Sequence, residues 1–109
     1  MTGFRLRGLF AVLPTAFHDD GALDLPGTAA VTAAHVEAGA SGLTVLGVMG
    51  EAAELSEEER GMVLAAVRAS AGGRPIVLGV SGATPSIVAQ RASAAADAGA
   101  AAVMVSPSL

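Results

Sequence analysis

The chain has 109 residues, 52% of them hydrophobic and 15% charged, with a formal net charge of −4. One small domain fits that length, and the hydrophobic share excludes an intrinsically disordered chain. The absence of Cys excludes a disulfide scaffold and a thiolate zinc site.

All six basic residues are Arg, at positions 5, 7, 60, 68, 74 and 91, and the chain contains neither Lys nor Tyr. A step that needs a lysine amine or a tyrosine hydroxyl cannot be completed by these residues alone. No basic stripe is present to neutralise phosphates, and three Phe make no stacking platform, so no nucleic-acid partner is expected. The longest uncharged stretches, such as Pro75 to Gln90, are broken by Pro, Gly, Ser and Thr, so no membrane span is expected. The apolar run after Arg5 and Arg7 meets Pro14 too early for a signal-peptide core, and a cytoplasmic setting is expected.

The first apolar run is Leu9 to Leu13, ended by Pro14. A helical segment follows from about Leu25 to Ala38, with Asp24 as N-cap, Pro26 in the first turn and Gly39 as its stop. The second apolar run is Leu43 to Gly47. The next helix opens at Ser56, where Ser56 and Glu59 have capping-box spacing and Glu57, Glu58 and Glu59 suit a positive helix N-terminus. Met62, Val63, Ala66 and Val67 follow at helical spacing, and Gly72 or Gly73 ends the helix. Ile76 to Val80 is the third apolar run. The third helix starts at Thr84 with Pro85 at N1, carries Ile87, Val88, Arg91 and Ala95, and stops at Gly99. Ala102 to Val105 is the fourth run, closed by Ser106 and Pro107.

Continuous apolar runs of this length suit strands buried on both faces, as in parallel sheets. The order is β-α-β-α-β-α-β, with strand starts about 30 residues apart, the length of one βα unit. Glu37-Ala-Gly-Ala-Ser-Gly-Leu-Thr-Val45 is echoed by Asp97-Ala-Gly-Ala-Ala-Ala-Val-Met-Val105. Repetition at this period favours a (β/α)8 TIM barrel over a doubly wound sheet. A closed barrel needs eight such units, so residues 1–109 are expected to form its N-terminal half, four parallel strands with three helices on one face. The first and fourth strands would be edges unless something pairs with them.

Several segments, in this order and spacing, resemble the N-terminal part of the dihydrodipicolinate synthase/N-acetylneuraminate lyase family. They are Leu13-Pro-Thr-Ala-Phe17 with Asp20-Gly21, His35-Val-Glu-Ala-Gly39, Gly47-Val-Met-Gly-Glu51, Leu55-Ser-Glu-Glu-Glu-Arg60, Gly79-Val-Ser-Gly-Ala-Thr84, and the run from Ala98 to Pro107. The most specific piece is G-x-x-G-E followed by L-S-x-E-E-R. The resemblance implies a (β/α)8 lyase or aldolase, often homo-oligomeric, that joins a barrel lysine to pyruvate or another 2-oxo acid as a Schiff base. Such an imine is an electron sink for making or breaking a carbon–carbon bond, and the attacking amine must be neutral. The family's lysine lies on a sixth strand, beyond the four that these residues supply. No cofactor and no metal are implied.

The resemblance also places the 2-oxo-acid carboxylate on the loop Gly47, Val48, Met49, Gly50 and Glu51. Relatives commonly carry hydroxyl residues at the second and third of these positions, joined to a proton relay. Val48 and Met49 cannot donate a side-chain hydrogen bond, which leaves backbone N–H groups of a Gly-rich turn. Where relatives often have P-Y-Y after the fourth strand, Pro107 is followed by Ser108 and Leu109.

Other polar residues have plainer readings. Glu51 either orients its loop through local N–H groups or acts as an acid, and the former is the commoner use of a turn carboxylate. Glu54 and Glu57 to Glu59 read as a solvated helix start rather than a metal site. His35 reads as packing or a backbone hydrogen bond, and His18, beside Asp19 and Asp20, as part of a turn. Ser81 lies in Gly79-Val-Ser-Gly82, which is no nucleophile elbow, so it reads as lining the barrel mouth. Met49 and Met104 read as core filler. Two functions stay open: part of a Schiff-base 2-oxo-acid lyase, or a non-catalytic half-barrel that binds a small acid or assembles with a partner chain.

Overall fold

The computed structural model describes residues 6–47 and 55–106. Among these residues seven elements follow one another: β1 (Phe10–Val12), α1 (Leu25–Glu37), β2 (Gly42–Val45), α2 (Glu57–Ser70), β3 (Ile76–Gly79), α3 (Pro85–Asp97) and β4 (Ala102–Met104). The strands form one sheet in chain order, and all three pairings are parallel. Each strand is a residue or two shorter than its apolar run. Past the strand ends, Leu13 N still donates to Thr44 O and Val80 N to Met104 O, both at 2.9 Å.

Each helix begins where a side chain satisfies a free N–H. Asp24 Oδ1 accepts from Gly27 N at 2.8 Å, and Thr84 Oγ1 from Ile87 N at 3.2 Å. At α2 the capping box is complete: Ser56 Oγ accepts from Glu59 N at 3.1 Å, and Glu59 Oε1 accepts from Ser56 N at 2.9 Å. All three helix stops use a left-handed glycine: Gly39 after α1 with φ +103°, Gly72 after α2 with φ +60°, and Gly99 after α3 with φ +91°.

Strand alternation and register divide the sheet into two faces. Leu13, Leu43, Val45, Ile76, Leu78 and Val80 point to one side and are buried. There they join Val63, Leu64 and Val67 of α2 and Ala95 of α3 in a single core. That core lies on one side because successive crossovers between neighbouring parallel strands place their helices on the same face. The exposed position of Met62 corrects the expected core face of α2, which is Arg60, Val63, Leu64 and Val67. Helix α1 buries Thr28 and Thr32 rather than an apolar stripe. Both hydroxyls are satisfied locally, donating to Asp24 O and to Thr28 O at 2.9 Å each, so their burial strands no donor.

The opposite face carries Phe10, Val12, Gly42, Thr44, Val77, Gly79, Ala102 and Met104 by the same register. The Phe10 ring lies over Gly42, where an added Cβ would stand 2.5 Å from Phe10 Cζ and displace the ring. Among the described residues no helix covers this face. Val12 and Met104 on this face stay exposed, as does Val103 on the helical face of edge strand β4.

Candidate functional site

The C-terminal ends of parallel strands bring together loops that are far apart in sequence, and barrel sites form there. Here that rim gathers Leu13 and Thr15 after β1, Leu46 and Gly47 after β2, Val80 and Ser81 after β3, and Met104 to Ser106 at the end of β4. Of the candidate carboxylate loop, Gly47 is buried at the end of β2. Val48, Met49, Gly50 and Glu51 lie outside the described residues, as does Glu54.

Two backbone features shape the rim. Leu46 is the described non-glycine residue with positive φ, +61°. Continued alternation would aim its side chain at the uncovered face with Thr44. The left-handed conformation instead lets it join the buried core, 2% exposed. Its carbonyl group comes down over Gly79, where an added Cβ would sit 2.8 Å from Leu46 C and closer still to its O. A left-handed Leu costs about 1–2 kcal/mol, and such strain persists only where packing holds it.

The β3 and β4 ends are locked to each other. Val80 N donates to Met104 O at 2.9 Å, and Ser106 N donates to Ser81 Oγ at 2.7 Å. Ser81 therefore lies at the mouth, its hydroxyl oxygen occupied by the rim's own backbone. Arg91 of α3 donates to Ser81 O and forks onto Glu57 of α2, Nε to Oε1 at 3.0 Å and Nη2 to Oε2 at 2.6 Å. Those hydrogen bonds hold the Glu57 carboxyl below the usual carboxylate range, with desolvation opposing and the charges of Arg91 and Arg60 assisting.

Arg60 lies beneath this pair, 5% exposed, and donates through Nη2 to Gly79 O. Its Nη1 is buried without a hydrogen-bond partner among the described residues. Burial, then the charge of Arg91, lowers its pKa, while Glu57 opposes. The acidic start of α2 is therefore more than a solvated run. Glu57 clamps α3, Glu59 completes the cap and Glu58 is exposed.

His35 Nδ1–H donates to Val31 O at 2.8 Å, a backbone role. His18 sits in a turn where its N–H donates to Ala22 O and its carbonyl accepts from Gly21 N, with Nε2 3.8 Å from Asp24 Oδ1. Neither reaches the rim of β2 to β4. No group of three potential metal ligands occurs among the described residues. No helix among them is long and apolar enough to cross a membrane. Sequence reasoning missed Leu46 and the Glu57–Arg91–Ser81 chain. Backbone handedness at Leu46 leaves no mark in the pattern, and Glu57 and Arg91 are 34 residues apart.

Four parallel strands in chain order, alternating with three helices on one face, define the N-terminal half of a (β/α)8 barrel. A model of the dihydrodipicolinate synthetase family matches residues 5–108, and the chain belongs to that family. It is 39% identical over 105 residues to a 4-hydroxy-tetrahydrodipicolinate synthase of Xanthomonas axonopodis, covering 94% of this chain and 35% of that protein. It is 33% identical over 104 residues to an L-2-keto-3-deoxyarabonate dehydratase of Azospirillum brasilense, covering 94% of this chain and 34% of the dehydratase. Among solved structures it resembles an E. coli K12 prophage protein of the dihydrodipicolinic acid synthase family, in complex with pyruvate. The TM-score is 0.82 at 32% identity, over 90% of this chain and 33% of that one. The chain thus spans about a third of the length of the relatives it matches.

Proposed function

We propose that residues 1–109 are the N-terminal half-barrel of a Schiff-base lyase or aldolase acting on pyruvate or another 2-oxo acid, and that the loop Gly47–Glu51 receives the acid's carboxylate. The observation that carries this reading is the family match over residues 5–108. It is supported by names among the relatives that point to 2-oxo-acid chemistry, a keto-acid dehydratase and a structure holding pyruvate. The geometry is compatible with it. Gly47 lies buried just past the C-terminal end of β2, with the Leu46 carbonyl group over Gly79 of β3 and the Met104 side chain of β4 beside it.

In this reading the chain supplies the carboxylate cradle and half of the barrel wall, while the imine-forming lysine lies on a strand outside these 109 residues. With Val48 and Met49 at the hydroxyl positions, backbone N–H groups hold the carboxylate. The expected setting is cytoplasmic and the expected assembly a homo-oligomer.

The test is a chimera in which these residues replace the matching 105 residues of the Xanthomonas synthase. Borohydride trapping with pyruvate, read by intact mass, should give one adduct on a lysine of the synthase portion. A chimera that melts cooperatively but forms no adduct would overturn the proposal. The 109-residue chain treated in the same way should give none except at the amino group of Met1.

A further inference from the structure

We propose that Met104 sets the size and polarity of the acid accepted at this site, favouring a short unbranched 2-oxo acid over a long or polyhydroxylated one. The inference rests on the 2-oxo-acid reading above and goes beyond it by naming the wall next to the ligand.

The register pairs Met104 with Gly79, on the uncovered face of the sheet. Side chains from β2, β3 and β4 would ordinarily meet in one row at that level. Here two of the three are missing. Leu46 turns its side chain into the core through φ +61°, and Gly79 has none. What lies over Gly79 is the Leu46 carbonyl group.

Met104 therefore has no neighbour on β3 to stop it and lies across toward β2. Its Cε stands 3.3 Å from the position a Cβ on Gly47 would take. Of these three strand ends, it is the one that offers a described side chain at this level of the face. It remains 40% exposed, so it is not locked into the core.

A carboxylate held at Gly47 has the Met104 methyl as its immediate neighbour. The rest of a 2-oxo acid must then pass along the thioether. That wall is apolar and offers only a weak acceptor. It suits a methyl or ethyl end and leaves the hydroxyls of a sugar-derived tail unpaired, a discrimination of up to about a hundredfold for an apolar wall. Met104 is thus a specificity-determining residue.

The experiment uses the chimera described above, labelled with 13C at its methionine methyls, those of residues 1, 49, 62 and 104 of this chain among them. The Met104 signal is the one lost in Met104→Leu. Titration with pyruvate should move it saturably, while the Met62 signal, on the exposed side of α2, stays still. Met104→Ala should raise the affinity for 2-oxovalerate relative to pyruvate by about tenfold, the low end of the effect of one methylene in an apolar pocket. Saturable pyruvate binding with a motionless Met104 signal, or an unchanged affinity ratio in Met104→Ala, overturns this inference and leaves the 2-oxo-acid reading standing. The absence of saturable binding by any 2-oxo acid overturns both. If Met104→Ala does not fold, the methyl shift in the unsubstituted chimera decides.

Discussion

Glycine at two positions of this chain has opposite meanings, and only its surroundings tell them apart. Gly79 lies under the Leu46 carbonyl group, so Gly79→Ala forces two backbones apart. We expect a loss of about 1–3 kcal/mol, seen as a lower urea midpoint. Gly61 lies inside α2 with nothing near the position of its missing Cβ. Gly61→Ala should stabilise by about 0.5–1 kcal/mol, the helix cost of glycine. Equal effects of the two substitutions would show that the rim at Gly79 is looser than described. At the candidate loop, Val48→Thr with Met49→Thr restores hydroxyl donors. A hydrogen bond to a charged group contributes about 1.5–3 kcal/mol, so in the chimera calorimetry should show pyruvate bound about ten- to a hundredfold more tightly. Equal or weaker binding would break the assignment of the carboxylate to this loop.

The helix starts are the elements most strongly written into the local sequence. Asp24, Ser56 and Thr84 were each identifiable as N-caps, and each caps its helix. The reason is that capping is a contact between residues three apart, so spacing alone contains it. Ser56→Ala should cost about 1 kcal/mol, lowering the urea midpoint at unchanged slope. The link between α2 and α3 is of another kind. The Glu57 pKa is lowered from its ordinary 4.5. A carboxyl depressed in the folded state stabilises fully above its unfolded pKa and loses that contribution as pH falls through the lower folded value. Stability should therefore fall on the acid side of 4.5, and Arg91→Gln should flatten that part of the profile. The effect should be small, because the Glu57 carboxylate is largely exposed. An identical acid limb in Arg91→Gln would mean the pair is not what depresses Glu57.

Among the described residues, helices cover the sheet on one side over β2 and β3, while Val103 on that side of β4 stays exposed. Strands β1 and β4 each have one paired edge, and the face bearing Val12, Thr44, Val77 and Met104 has no covering element among the described residues. Unpaired edges and exposed apolar side chains recruit partners. The 109-residue chain should therefore sediment as concentration-dependent species and melt broadly. A sharp melt of a monomer, independent of concentration, would contradict this.

Element order, helix caps, the parallel sheet and its strand order were legible in the sequence, because they rest on periodicity, local hydrogen bonds and the length of a βα unit. Family membership was legible for a similar reason, since the glycine, capping-box and strand-end segments keep their order along the chain. The core face of α2 was read imperfectly. Met62 fits the helical period, but Arg60 takes the buried place by reaching the Gly79 carbonyl. The handedness of Leu46, its carbonyl over Gly79, the reach of Met104 to Gly47 and the Glu57–Arg91–Ser81 chain were decided by tertiary structure. Each joins residues that only the folded sheet makes neighbours, or depends on a backbone torsion that packing enforces against the local preference of the residue.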